Sequence, residues 1–444
     1  MMINKKKHKH ILIYLIVFVF STYNINAQEI WTLKKCVERA IDKNISIKNS
    51  QINLEVAKQE KINAIGRFVP DINASGNYSW NSGLTQNITT GILEEQTTKY
   101  ATGGINIGMD IYNGLSNIKE LQKANLLKLA GRYQLENMIE EISLLIINSY
   151  LQILFNKETL NVYNSQLKIT GKELIAAQEQ FRSGVIPKGD LLIIEANNAT
   201  AIQNVVIAEN NYKLSKISLA QIILIDDLEN FDIVDEKYEI PKTDILNKNI
   251  KEIIRNAEIS KSEIKIAATN LKIAEKEKSI AFTSLHPKIN AYYSYNSSVL
   301  IGSPISYEEQ FDINAGQTYG LQLSIPIFNN LTRKTIIQKS KLNVLKNKNI
   351  LNQAKLDLEN TINKALNNAK GALKTYEATE QTFKARETAY IYAKERFENG
   401  ALNTLNFLQV KQNFENTQSD LLKTKYDYIF KLKILEFYSG NSYL

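Results

Sequence analysis

Three features of the sequence predict a mainly α protein with a transmembrane β-barrel portion. They are a duplication at about half the chain length, two long spans without proline, and four segments of alternating hydropathy. The predicted unit is a duplicated helix–strand–strand–helix repeat. Its long coiled-coil hairpins continue the tube as an α-barrel, and its four strands per chain contribute to a β-barrel shared between copies, of roughly eight strands for two copies or twelve, wide enough for a lumen, for three.

The duplication is read from matched segments. "QFRSGVIPKGDLLIIEA" begins at Gln180 and "RFENGALNTLNFLQVKQ" at Arg396; Phe181 and Phe397, like Gly184 and Gly400, are 216 residues apart. "NLEVAKQEK" from Asn53 returns as "NLKIAEKEK" from Asn270, and "PDINASGNY" from Pro70 returns as "PKINAYYSY" from Pro287, each 217 residues on. "IYNGL" from Ile111 returns as "IFNNL" from Ile327. Four matches in one order at nearly one offset are not chance. They divide the chain into a signal peptide at 1–27, a first repeat at 28–227, a connection at 228–245 and a second repeat at 246–444. The first repeat has strands at about 70–80 and 101–112 and a hairpin tip at about 184–190; the second has strands at about 286–296 and 317–328 and a tip at about 400–406.

The long helices follow from the prolines. No proline lies between Leu115 and Ser183 or between Leu331 and Asn399, and each span is 69 residues. Proline inside a helix costs about 3 kcal/mol, and 69 helical residues measure about 100 Å. Ile139, Ile142, Leu145 and Ile146 recur at helical spacing with polar residues between them, the pattern of packed helices. Gly184 and Gly400 end these helices, and Asp190 and Thr404 or Asn406 are candidate caps for the returning ones.

The strands follow from a change of period. Ile72, Ala74, Tyr78 and Trp80 share one face, as do Ile105, Ile107, Met109 and Ile111. In the second repeat Ile289, Ala291, Tyr293 and Tyr295 form one such set, and Tyr319, Leu321, Leu323, Ile325 and Ile327 another. About 9 to 11 residues suit a tilted membrane strand, and terminal Tyr and Trp suit an aromatic girdle. Ile72, Tyr78, Trp80, Ile105, Ile107, Ile289, Tyr293, Leu321 and Leu323 are the expected lipid-facing residues; Asn73, Asn106, Asn290 and Gln322 point the other way. The segments Asn81 to Tyr100 and Asn296 to Gln317 are read as polar loops. A soluble sheet covered by helices is the alternative, which the export signal, the long helices and the absence of a continuous apolar 18-residue stretch disfavour. Four strands cannot close, and an open edge in lipid leaves backbone groups unpaired, so several copies must share a barrel.

Lys5, Lys6, Lys7 and Lys9 before the apolar run Ile11 to Phe20 read as a secretory signal cleaved after Ala27; the run is too short for an anchor helix. Its removal lowers the formal charge from +8 to +4, and no case for nucleic acid remains. Cys36 is the single cysteine and is expected to be a buried small hydrophobe. His286 is the only histidine outside the signal, so no zinc cluster or Ser-His-Asp set is expected. No phosphate loop is present, and neither an enzyme nor a cofactor is expected. The competing readings are an exported structural or adhesive coiled-coil protein, which would lack lipid-facing strands, and a periplasmic adaptor, which would have one hairpin rather than two.

The opening "WTLKKCVERAIDKNISIKNS", the ordered duplication, the Pro-strand segments and the two F-x-x-G tips resemble the TolC family of outer-membrane efflux proteins over the whole mature chain. The resemblance implies a homotrimer with its barrel in outer-membrane lipid and a helical tunnel through the periplasm. It implies the passive exit duct of a tripartite efflux pump or type I secretion system, with an inner-membrane RND or ABC pump doing the work. Gly184, Val185, Ile186, Gly400, Ala401 and Leu402 would be tips that dock onto a periplasmic adaptor (membrane fusion) protein. Family members often carry acids six and nine residues after the second tip glycine, as a cation-binding ring. Here those positions are Asn406 and Gln409, which leaves a ring of amides, while Asp190 keeps a carboxylate at the first tip. These three residues are the expected periplasmic constriction, with plain capping as the other role of Asp190 and Asn406. The basic residue and Tyr that lock some relatives closed are replaced by Leu402 and Phe397, so closure must rest on other contacts.

Overall fold

The computed structural model describes residues 30–86, 92–228, 230–234, 240 and 243–440. The predicted signal peptide and part of the inter-repeat connection lie outside them. Two compact units are present, and each takes residues from both repeats.

The first unit holds residues up to Lys48, Ile139–Ile254 and Thr361 onward. It opens with β1 (Ile30–Trp31) and α1 (Leu33–Lys43). Thr32 caps α1 by accepting from the backbone N–H of Lys35 at 3.2 Å. β1 pairs in parallel with β4 (Asp232–Ile233). Most of the rest belongs to two helical hairpins. The first joins α3 (Ser116–Arg182) to α4 (Lys188–Ile223), and the second joins α8 (Thr332–Glu398) to α9 (Thr404–Tyr438). Trp31, Cys36 and Val37 pack with Ile146, Tyr150, Leu154, Leu219, Phe231 and Ile429 in the main core. Cys36 is fully buried, as expected, and burial pushes its thiol pKa up to about 12.

One expectation is corrected here. Both α3 and α4 contain a window long and apolar enough to cross a membrane by composition alone. The α3 residues Ile146, Ile147, Ile153 and Leu154 spend that apolarity on this core.

The second unit holds Asn49–Met138 and Arg255–Asn360. It contains most of α2 (Ile45–Gly66), the end of α5 (Ile250–Ser260), α6 (Ser262–Thr283) and the first turns of α3 and α8. Lys355 reaches Glu258 at 2.9 Å and Asn343 reaches Glu277 at 3.0 Å, tying α8 to α5 and α6.

The sheet of this unit has β2 (Asp71–Gln86), β3 (Leu93–Tyr112), β5 (Lys288–Ile301) and β6 (Gly316–Ser324), in the order β2-β3-β5-β6 and antiparallel throughout. The strands are longer than their sequence signal. The stretch read as a loop from Asn81 to Tyr100 carries the paired ends of β2 and β3 up to Gln86 and Leu93. The second stretch holds the end of β5 and a short helix, α7 (Tyr307–Ile313). β6 ends at Ser324, two residues before Pro326, so Ile325 and Ile327 lie outside the strand; proline has no N–H to give the ladder.

Candidate functional site

Register decides what the sheet can do. Ile72 pairs with Ile107, Ile107 with Tyr293, and Tyr293 with Tyr319. Ala74, Ile105 and Tyr295 form the next row, and Ile289 pairs with Leu323. Directly paired residues point to the same side, so the four apolar sets read from the sequence fall on one face. That face is uncovered: Ile72 is 66% exposed, Trp80 63% and Leu321 72%. Tyr78 and Trp80 stack edge to face at 4.6 Å near its far end. One residue leaves the pattern. A bulge between Asp110 and Tyr112 lets Tyr112 take Ile289 as partner, so Ile111 drops out of the ladder.

The opposite face is polar. Asn73 pairs with Asn106, Asn106 with Ser294, Asp110 with Asn290, and Asn290 with Gln322. Ser294 donates to Asn106 Oδ1 at 2.8 Å. Among the described residues β2 and β6 are the free edges of the sheet. At the edge of β5 beyond β6, α7 substitutes for a strand. The buried Gln310 accepts from the Leu300 N–H at 2.8 Å and donates to the carbonyls of Leu300 at 3.3 Å and Ile305 at 2.9 Å.

The two hairpin tips are built alike. Gly184 and Gly400 both have φ +73°, a conformation that strains any residue with a Cβ. Gly184 N–H donates to Phe181 O at 3.0 Å and Val185 N–H to Gln180 O at 2.8 Å; Gly400 and Ala401 repeat this with Phe397 and Arg396 at the same distances. This is a doubly bonded left-handed helix end at each tip. Val185 is 69% exposed, Ala401 is exposed, and Ile186 and Leu402 are half-buried.

Neither predicted side-chain cap is the one used. Asn403 caps α9 by accepting from the Asn406 N–H at 2.9 Å, and Pro187, its counterpart 216 residues earlier, begins α4 without a side-chain cap. Asn406 and Gln409 are exposed on the first turns of α9. Asp190 instead turns toward the other hairpin, where its Oδ2 accepts from the Thr404 hydroxyl at 3.2 Å.

Above the tips lie groups that the sequence reading missed. The side chain of Lys411 in α9 is 5% exposed, donates to Glu173 of α3 and lies 3.7 Å from Glu415. Burial, and then the nearby Glu173, push the Glu415 pKa above the usual glutamate value against the opposing pull of Lys411. Beside them runs a ladder of rings. Phe397 stacks on Phe407 at 4.5 Å, Tyr390 on Phe407 at 6.2 Å and on Phe414 at 5.0 Å, and Phe383 meets Phe414 at 5.6 Å. The seven-residue spacing of Phe383, Tyr390 and Phe397, matched by Phe407 and Phe414, was a readable signal for this hairpin core. Phe397 thus serves the interior of its own hairpin.

The family model described as outer membrane efflux protein matches residues 36–223 and 253–441, one match to each repeat. The chain belongs to the outer membrane efflux protein family. As such it is an outer-membrane channel extending into the periplasm, and nothing supports the adhesive reading. No curated protein matches the efflux protein by sequence. Its fold is shared by solved structures. The CmeC outer membrane channel of Campylobacter jejuni is 16% identical, with a TM-score of 0.81, over 92% of this chain and 85% of that one. VceC of Vibrio cholerae is 14% identical, with a TM-score of 0.79, over 93% and 97%. The open state of the MtrE channel of Neisseria gonorrhoeae is 16% identical, with a TM-score of 0.73, over 92% and 88%.

Proposed function

We propose that three copies of this efflux protein pool their sheets into one barrel that is the outer exit of a tripartite export system. The observation that carries this reading is the sheet itself: one face apolar and uncovered, the other polar, and two edges free. In lipid the edges must be paired, and three four-stranded sheets give roughly twelve strands, wide enough for a wet lumen. Ile72, Tyr78, Trp80, Ile105, Ile107, Ile289, Tyr293, Leu321 and Leu323 then meet lipid, while Asn73, Asn106, Asn290 and Gln322 line the passage.

The tips at Gly184 to Ile186 and Gly400 to Leu402 would dock onto a periplasmic adaptor protein served by an RND or ABC pump of the inner membrane. Asp190, Asn406 and Gln409 would form the constriction beside them. No bond is made or broken in the cargo; the duct supplies a path and the pump supplies the energy.

The test has two parts. The detergent-purified protein should have the mass of a trimer and give single-channel conductance in planar bilayers; a water-soluble monomer would end the proposal. Ala401→Asp should insert normally and yet abolish export. Unchanged export would remove that tip from the docking surface.

A further inference from the structure

The two free edges of the sheet do not match in length. β2, β3, β5 and β6 alternate in direction, so β6 of one chain runs opposite to β2 of the next and can pair with it. β2 has 16 residues and β6 only 9, so in any register at least seven residues of β2 find no partner in β6. Along such a stretch every second N–H and carbonyl faces outward unpaired, which a membrane border penalises and which invites wrong partners.

α7 lies where β6 would continue. Only Asn314 and Ala315 separate it from β6, so any part of a neighbouring β2 that runs past Gly316 meets this helix. The helix is fixed from one side. Besides the three bonds of Gln310, Asn314 donates to Ser298 O at 2.7 Å and the Ser297 hydroxyl to Phe311 O at 2.5 Å, while Ser306 caps the first turn by accepting from the Glu309 N–H at 3.2 Å.

At about 100° per residue, the positions two before and two after Gln310 lie on the opposite side of the helix. They are Glu308 and Asp312. Both are exposed, and neither carboxylate has a partner among the described residues. Gln310 thus serves the edge of its own sheet, and two acceptors point away from it. Carboxylates four residues apart on a helix stand about 6 Å apart, and a free strand edge offers an N–H about every 7 Å.

We infer that α7 stands in for the missing outer part of β6 and seats the loop end of β2 from the next copy, whose spare N–H groups donate to Glu308 and Asp312. The inference rests on the shared-barrel reading above and adds a contact that strand pairing alone does not supply. α7 runs down toward β6 while the neighbouring β2 runs up, so Asp312 comes level with a nearer residue such as Ser82 and Glu308 with a farther one such as Leu84.

The test is a disulfide across the seam. Within one chain β3 and β5 lie between β2 and α7, which is about 14 Å of sheet and beyond the roughly 7 Å between Cα atoms that a disulfide spans. A bond between the two elements therefore joins different copies. Ser82→Cys with Asp312→Cys is the first pair, and Leu84→Cys with Glu308→Cys the second should the first fail to assemble. The native thiol of Cys36 is buried and stays protonated, so it is silent to the oxidant. At least one pair should give covalent dimers and trimers on a denaturing gel, lost on reduction. No bond from either pair, in protein that has the mass of a trimer and conducts, would overturn the seat and leave the duct reading standing; protein that never assembles would remove both. Glu308→Ala with Asp312→Ala should lower the temperature at which the trimer separates into monomers, and an unchanged temperature would deny the two carboxylates their part in the seam.

Discussion

Lys411→Ala tests the buried centre of the seam. The wild-type lysine side chain is 5% exposed, and its two carboxylates are 26% exposed at Glu173 and 17% at Glu415. Truncation leaves both acids facing each other with no countercharge. Removing one partner of a fully buried pair costs about 3–5 kcal/mol, and the partial exposure of Glu173 lowers the expected loss here to about 2–3 kcal/mol. The deficit should depend on pH. Burial raises the Glu415 pKa in the folded protein, so its contribution to stability is complete below the ordinary value of 4.5 and is lost as the pH rises through the raised value. Without Lys411 that pKa climbs further, and the variant should lose most near neutrality and recover on acidification. Urea unfolding of the detergent-solubilised protein at several pH values, followed by circular dichroism, reads both effects. A loss below about 1 kcal/mol that is the same at every pH would refute the claim that the lysine neutralises buried acids.

Three further outcomes follow. Gly400→Ala places a Cβ at φ +73° and should cost about 1 kcal/mol in the same unfolding assay, whereas Gly371→Ala, mid-helix in α8 with open space around it, should be neutral or stabilising. Gln310→Ala strips three hydrogen bonds from the β5 edge and should cost about 1–3 kcal/mol, seen first as faster proteolysis near α7; unchanged cleavage would deny Gln310 its role. Asn406→Asp puts a carboxylate in the first turn of α9, where the helix dipole favours it by about 0.3–1 kcal/mol, and should strengthen channel block by divalent cations; strong block already present in wild type and unaltered by the change would refute the amide ring.

The sequence revealed what repeats and what alternates. The faces of all four strands were legible because an apolar residue at every second position has one meaning on a pleated sheet, and pairings such as Ile72 with Ile107 bring those faces together. The strand ends were not legible. Past Trp80 and before Tyr100 polar residues occupy both faces, with Ser82 and Thr97 on one and Asn81 and Thr98 on the other, and a ribbon that is wet on both sides carries no period. The helix ends at Gly184 and Gly400 were readable from glycine alone, but the cap at Asn403 was not, since the tip backbone decides which residue of "LNTLN" comes first. Lys411 could not be found from spacing, because its partner Glu173 is 238 residues away.

Where β5 stops at Ile301, opposite Lys99, the hairpin of β2 and β3 continues alone, with Asn81 to Gln86 paired only to Leu93 to Thr98. Two strands without neighbours are marginally stable in water. That stretch is where a protease should nick the folded chain first, and where a foreign epitope could be grafted for surface display without severing any hydrogen bond shared with the remaining strands.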